Sequence, residues 1–322
     1  MPIFFIYIFV GTLRFAHSSI LCYNLFMNRV VVFAHYDKDD IVDDYVIYYL
    51  KALKKIASDI IFVSCNPILN KEKLNGIATK IIDEKHDEYD FGSYKRGFLY
   101  IRDNLNDYDE LIFANDSCYG PFYHLSQMFD EMKNRECDFW GVTKNKFGME
   151  KVGEKYYSVR RPHLQSYFLV FKKNVLGSEV FQNHILSVEH EEQKNDIIIN
   201  YEISFTEKLT QAGFKSDEYI KNYYRFNHVI ACFWKPLIGK YKMPFVKCSI
   251  LRGANNNLTS NKNWQKFIKK CSDYPIELIE QNLERTIINS NNNIPEWIFY
   301  LIAFMPPKIK RLLYKIISQW QT

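Results

Sequence analysis

Asp90-Phe91-Gly92-Ser93-Tyr94-Lys95-Arg96-Gly97, Leu111-Ile112-Phe113-Ala114 and Asn115-Asp116-Ser117-Cys118-Tyr119-Gly120-Pro121 follow one another within residues 89–121. Two polar, glycine-containing motifs thus flank one apolar run. A run of this length between polar and Gly/Pro residues reads as a buried strand, and open α/β sheets bind ligands beyond the carboxyl ends of such strands. Both motifs read as site loops, and Asp116, at the end of the run, is expected to face a ligand.

Outward from this stretch, strand and helix patterns alternate. Val30 to Ala34 is continuously apolar, as in a parallel strand covered on both faces. Asp39 or Asp40 is placed to cap a helix in which Ile41, Tyr45, Tyr49 and Leu53 recur at helical spacing, widened by Val42, Val46, Leu50 and Ile56. Strands are expected over residues 59–65, 77–83 and 108–114, and a helix over 93–105. Pro121 is expected to open the next helix, where its missing N–H costs nothing. The alternation implies right-handed crossovers and a mostly parallel sheet flanked by helices, an α/β fold of Rossmann type. Farther on, residues 138–143 read as a short strand and 144–157 as a polar loop suited to covering a site. Residues 167–171 read as another strand, and 175–186 and 200–212 as helices, the last stopped by Gly213.

With 322 residues, 47% hydrophobic and 25% charged, the chain can bury a sizeable core. The expected organisation is an N-terminal extension (1–26), one large domain (27–250) and a helical C-terminal region (251–322). A net charge of +5, with dispersed Lys and Arg, leaves no nucleic-acid footprint. The seven cysteines are scattered without Cys-x-x-Cys spacing, which favours reduced thiols in a cytosolic protein. The apolar run Ile3 to Val10 is short for a bilayer span and lacks a charged leader, so neither a transmembrane helix nor a signal peptide is expected. Met27 opens a natural first strand, and residues 1–26 read as an upstream extension or a weak membrane contact. From Pro307 to Trp320, Ile309, Leu312, Leu313, Ile316, Ile317 and Trp320 share one helical face opposite Lys308, Arg311 and Lys315. That basic amphipathic tail either binds a membrane surface or packs on the domain.

A P-loop, a Gly-x-Gly-x-x-Gly fingerprint, His-Glu-x-x-His, a Gly-x-Ser-x-Gly elbow and paired Cys/His ligands are all missing from the sequence. Kinase, dehydrogenase, zinc-hydrolase and serine-hydrolase readings lose their support. What is left is an acidic residue at a strand end and a further acid, Glu202, at the start of a later helix.

Val32-Phe33-Ala34-His35-Tyr36-Asp37, residues 89–95 and 115–121, Phe139-Trp140-Gly141-Val142-Thr143, His163-Leu164-Gln165-Ser166-Tyr167-Phe168 and Met243-Pro244-Phe245-Val246-Lys247, taken in this order, are similar to the rhamnan synthesis protein F group of bacterial polysaccharide glycosyltransferases. The resemblance covers residues 28–250. It implies a GT-A-like fold, a nucleotide-sugar donor and a role in building cell-surface polysaccharide. In such folds a strand-end Asp-x-Asp holds a divalent cation on the donor diphosphate. Here the motif reads Asn115-Asp116-Ser117, so Mg²⁺ or Mn²⁺ would rest on Asp116 and on the phosphates themselves.

The same resemblance assigns the donor site to Asp37, Asp90, Gly92, Lys95, Arg96, Asn115 and Asp116. Asp37 would contact the base or ribose, Gly92 would let the backbone approach, and Lys95 or Arg96 would reach a phosphate. Glu202 stands where related enzymes place the base of an inverting transfer, although an acid in a first helical turn is also an ordinary partner of the helix dipole. His163 and Gln165 would bind acceptor hydroxyls and Trp140 would stack on a sugar; a satisfied buried His and a core Trp are the structural alternatives.

Two readings follow. The first is an inverting transferase at the inner face of the cytoplasmic membrane, using a donor such as a rhamnose nucleotide and a glycan or lipid-linked acceptor. The second is a non-catalytic carbohydrate-binding or assembly partner of a polysaccharide synthase.

Overall fold

All seven side chains of the first strand, Arg29–His35, are buried, as a strand covered on both faces requires. The computed structural model describes residues 27–221, 234–253 and 263–286. Its strands are, in chain order, β1 (Arg29–His35), β2 (Asp59–Ser64), β3 (Lys80–Asp83), β4 (Glu110–Asn115), β5 (Cys118–Tyr119), β6 (Phe139–Asn145), β7 (Gly148–Val152), β8 (Lys155–Val159), β9 (His163–Leu164), β10 (Phe168–Lys172), β11 (Ser216–Ile220) and β12 (Val246–Lys247). The main sheet runs β11-β6-β10-β4-β1-β2-β3, with β9 on β6. β1 pairs in parallel with β2 on one side and β4 on the other, and β2 with β3. β10 lies antiparallel between β4 and β6, and β11 returns parallel to β6. The fold is mixed α/β with a mostly parallel central sheet.

Successive strand residues face opposite sides of the sheet, and each side is covered by helices. On one side Val31, Phe33, Ile60, Phe62 and Ile112 pack under α1 (Asp44–Lys54) and α3 (Leu125–Lys133). On the other, Val30, Val32, Ile61 and Phe113 pack under α2 (Tyr89–Ile101), α4 (Glu179–Leu186) and α5 (Ser204–Gln211). Gly97 lets α2 lie directly on β1, because a Cβ there would stand 2.2 Å from Val32 Cγ1. Among the C-terminal helices α6 (Trp234–Gly239), α7 (Trp264–Cys271) and α8 (Glu277–Thr286), residues Trp234, Trp264, Ile268, Ile279 and Leu283 belong to the same cluster as α1.

Several local expectations change. Asp90–Gly97 forms the first two turns of α2 and is not a loop. α1 starts at Asp44 with Asp43 as N-cap, since Asp40 takes a left-handed backbone (φ 57) that a helix start cannot use. The helix expected at Pro121 begins at Leu125. The polar stretch 144–157 contributes to an antiparallel ribbon of β7 and β8 that turns at Gly153 (φ 58). Residues 1–26, the Asn-rich stretches 255–262 and 289–293, and the tail Pro307 to Trp320 lie outside the described residues. No helix among the described residues is long and apolar enough to cross a membrane.

Candidate active site

From β1 the chain goes to β2 on one side, and it returns to β4 on the other. The crevice beyond the carboxyl ends of β1 and β4 is therefore the topological switch point, the place where such sheets bind ligands. Asn115 ends β4, and its Oδ1 accepts from the Ser117 N–H at 3.1 Å and the Ser117 hydroxyl at 2.5 Å. This side-chain turn reverses the chain at the strand's end. Asp116 then ties the two strand ends together. Its N–H donates to Ala34 O at 3.3 Å, its Oδ2 accepts from the Tyr36 N–H at 2.8 Å, and its carbonyl accepts from the Tyr45 hydroxyl at 2.9 Å.

Burial pushes the Asp116 carboxyl up to about 8; the Tyr36 N–H and Arg252 oppose the rise, while the charges of Asp90 and Asp37 add to it. His35, whose Nε2 stands 3.9 Å from Asp116 Oδ2, is pushed down to about 4 by burial and is neutral near pH 7. Its other nitrogen, Nδ1, lies 3.2 Å from Ser64 Oγ.

Asp90, in the first turn of α2, accepts from Asn115 Nδ2 at 2.7 Å. Its carboxyl is raised by burial, with Lys247 and Lys194 opposing and Glu202 adding to the rise. Glu202 stands in a π-helical segment, Ile198–Ile203, a rare form that recurs at functional sites. Its Oε1 accepts from the Ser166 N–H at 3.0 Å, and the Tyr94 hydroxyl donates to Ser166 O at 2.9 Å.

β12 crosses to β5, which sets Lys247 opposite Cys118. Gly120 permits this approach, since its φ is +136 and a Cβ would stand 2.4 Å from Pro244 O. Lys247 Nζ donates to Ser117 Oγ at 2.9 Å and lies 4.5 Å from the centroid of the Tyr167 ring.

Asp90, Asn115, Asp116 and Glu202 are thus brought to one crevice, and Lys247 joins them. Met243 to Lys247 belongs to the stretches that carry the family resemblance, but nothing in the sequence points to a role for Lys247. Its partner lies 130 positions away in sequence, so no local pattern could reveal it.

Other expected site residues are engaged elsewhere. The Arg285 guanidinium grips Asp37 through both carboxylate oxygens, at 3.0 and 2.6 Å, and also bonds Asp39 and Asp43. Burial works to raise the Asp37 carboxyl, but the hydrogen bonds and charge of Arg285 hold it below the usual carboxylate range. Arg96 bonds Glu84, Glu88 and Gly92 O, while Lys95 Nζ donates to Val188 O at 2.8 Å. Gly92 serves packing, because a Cβ there would meet Glu88 Cβ at 2.7 Å and His86 Nδ1 at 3.0 Å.

Trp140 is 1% exposed and wedged against Phe129 and Phe168, so it presents no face to a sugar. His163 is buried with Nδ1 on Arg161 O at 2.8 Å, and Gln165 is buried with Oε1 accepting from the Thr143 hydroxyl. Both are held by internal bonds as parts of the β6–β9 edge.

Among the described residues, no group of three or more His, Cys, Asp or Glu could hold a metal ion. Asp116 is the lone carboxylate of its turn; one oxygen is taken by Tyr36, and its carboxyl is raised to about 8. An ammonium sits on the neighbouring hydroxyl. Mg²⁺ and Mn²⁺ take carboxylate, carbonyl, phosphate and water oxygens, and a fixed cation beside them is repulsive. With one protein carboxylate in the turn, a divalent cation here would rest on Asp116 and on the phosphates of a bound donor.

A family model for rhamnan synthesis protein F matches residues 60–309. The virulence protein VirA of Vibrio anguillarum is 27% identical over 204 residues, covering 61% of this chain and 62% of that protein. The uncharacterized protein y4gN of Sinorhizobium fredii is 27% identical over 157 residues, covering 48% of this chain and 39% of that protein. The chain thus spans less than two thirds of the curated relatives it matches. Among solved structures, 4-diphosphocytidyl-2C-methyl-D-erythritol synthase aligns with a TM-score of 0.38 at 8% identity, over 60% of this chain and 89% of that one. Core-mannan synthase A from Aspergillus fumigatus, in its Mn/GDP form, aligns with a TM-score of 0.35 at 11% identity, over 57% of this chain and 69% of that one. With the family match spanning most of its length, the chain belongs to the rhamnan synthesis protein F family.

Proposed function

We propose that the chain is a GT-A-like glycosyltransferase of cell-surface polysaccharide synthesis. It moves a sugar, such as rhamnose, from a nucleotide donor to a glycan or lipid-linked acceptor. The observation that carries this reading is the convergence of Asp90, Asn115, Asp116 and Glu202 at the switch-point crevice of a mostly parallel sheet. Membership in a family named for rhamnan synthesis supports the polysaccharide role. Residues 27–250 carry the transferase site, α7 and α8 complete its core, and the basic amphipathic segment 307–320 binds the membrane at the cytoplasmic face.

In this reading the Asn115–Ser117 turn and Asp90 orient the donor. Glu202 takes the acceptor hydroxyl proton as the acceptor oxygen attacks the anomeric carbon, on the face opposite the departing nucleoside diphosphate. The product has inverted stereochemistry. Asp116→Ala and Glu202→Gln are expected to abolish transfer in an assay with a glycan acceptor while the far-UV circular dichroism of each variant stays that of the parent. Full activity in either variant removes that residue from the mechanism.

One observation favours the second reading, a carbohydrate-binding or assembly partner without catalysis: Ser117 stands where a second carboxylate would be, and Asp116 is raised toward neutrality. Such a partner would bind glycan and leave donor unconsumed, whereas the transferase releases nucleoside diphosphate.

A further inference from the structure

We propose that Lys247 is the built-in cation of this site, binding the diphosphate of the donor and offsetting the charge that develops on the departing nucleoside diphosphate. The proposal rests on the transferase reading above and adds to it the group that stabilises the leaving group.

The placement is specific. Lys247 sits on β12, held by pairing with β5, and its Nζ lies 2.9 Å from the hydroxyl of Ser117, the residue that occupies the second-carboxylate position of the turn. The Tyr167 ring, itself buried, lies under the ammonium at 4.5 Å and fixes its direction. An ammonium has three donors, so the Ser117 bond leaves two to meet phosphate oxygens. Burial raises the neighbouring Asp90 and Asp116 carboxyls, and the Lys247 charge opposes that rise at Asp90, which places the ammonium within electrostatic reach of the crevice.

Among the described residues, the nearby guanidinium groups are engaged elsewhere. Arg252 bonds Asn282 Oδ1 through Nε at 3.2 Å and Nη2 at 2.9 Å; Arg285 is held by Asp37, Asp39 and Asp43; and Arg96 by Glu84 and Glu88.

As the acceptor oxygen–carbon bond forms, the bond from the anomeric carbon to the phosphate oxygen breaks and its electron pair leaves with the diphosphate. The proton goes from the acceptor hydroxyl to Glu202. Lys247 transfers nothing; it meets the new negative charge through charge-assisted hydrogen bonds in a partly dehydrated crevice, where a fixed cation counts most.

The test is calorimetric titration of UDP, GDP and dTDP into the wild-type protein, Lys247→Met and Lys247→Arg, each in EDTA and in Mn²⁺. The wild type is expected to bind at least one of the three in EDTA. Lys247→Met should weaken that binding by about tenfold or more, the scale of a lost charged hydrogen bond, and Lys247→Arg should restore most of it. Undiminished binding by Lys247→Met, or binding by the wild type only after Mn²⁺ is added, overturns the inference and leaves the transferase reading standing. Binding by the wild type only in Mn²⁺ overturns the inference even where a variant fails to fold. Absence of binding by the wild type in both buffers defeats the nucleotide-sugar reading itself, and this inference with it.

Discussion

Asp116 joins two strand ends while its carboxyl is kept away from water, and the two roles separate by pH. The fold holds its proton up to about 8, whereas an unfolded chain releases it near the ordinary value of 3.8. Between those limits the folded state binds more protons, so stability falls as pH rises through the window and levels off above it. His35 acts at the other end: pushed down to about 4, it stays neutral where an unfolded His would take a proton, and stability falls as pH drops from about 6.5. Asp116→Asn keeps an acceptor for the Tyr36 N–H and removes the first penalty. Its melting temperature should exceed that of the parent at pH 8, with the gap closing toward pH 4; a gap independent of pH would show that the carboxyl is not buried as described. The position of Asp116 was legible in the sequence because an apolar run ending in a polar turn fixes a strand's carboxyl end. The Arg285 clamp on Asp37 was not, since its partners stand 248 positions apart and leave no local signal. Trp140 misled for a related reason. In a strand covered on both sides, polarity does not tell which side chains reach a crevice.

α2 shows how an element can be misread from its glycines. The motif Asp90–Gly97 suggested a loop overlapping the helix expected over 93–105, yet Phe91, Tyr94, Phe98 and Ile101 fall at helical spacing and all are buried, so the helix takes in the whole motif. The glycines answer to packing: at Gly97 the helix backbone lies directly against Val32 of β1. Gly97→Ala would force a methyl group into Val32, and overpacking of this kind costs about 1–3 kcal/mol, partly offset by the better helix propensity of Ala. Denaturant unfolding should give a lower midpoint with an unchanged slope. A variant as stable as the parent would mean that α2 slides on the sheet, which would also move Asp90 away from Asn115. The ribbon of β7 and β8 was hidden for a different cause, because its strands are mostly exposed and carry no apolar alternation, and a polar hairpin resembles a loop in sequence. The strands of the central sheet carry their burial in composition and were the easiest part to read.

At the scale of the whole molecule, the C-terminal region divides into a part that belongs to the core and a part defined only by its sequence pattern. α8 reaches back over the first βα connection. Ile279 and Leu283 are buried in the cluster of α1, Asn282 Nδ2 bonds Asp43 and its Oδ1 receives the Tyr119 hydroxyl, and Arg285 bonds the carboxylates of Asp37, Asp39 and Asp43. A chain ending at Gly253 would expose those apolar faces and leave the three carboxylates without their guanidinium, so it is expected to be insoluble or to lose cooperative unfolding. A chain ending at Pro306 keeps α7 and α8 and loses only the basic amphipathic segment, whose Lys308, Lys310, Arg311 and Lys315 would each contribute about 1 kcal/mol of attraction to anionic lipid near the surface. That shorter protein should melt like the parent, bind nucleoside diphosphate like the parent, and no longer sediment with phosphatidylserine-containing vesicles. Unchanged sedimentation would place the membrane contact elsewhere. A lowered melting temperature would show that residues 307–322 pack on the domain, so that their apolar face covers protein instead of lipid.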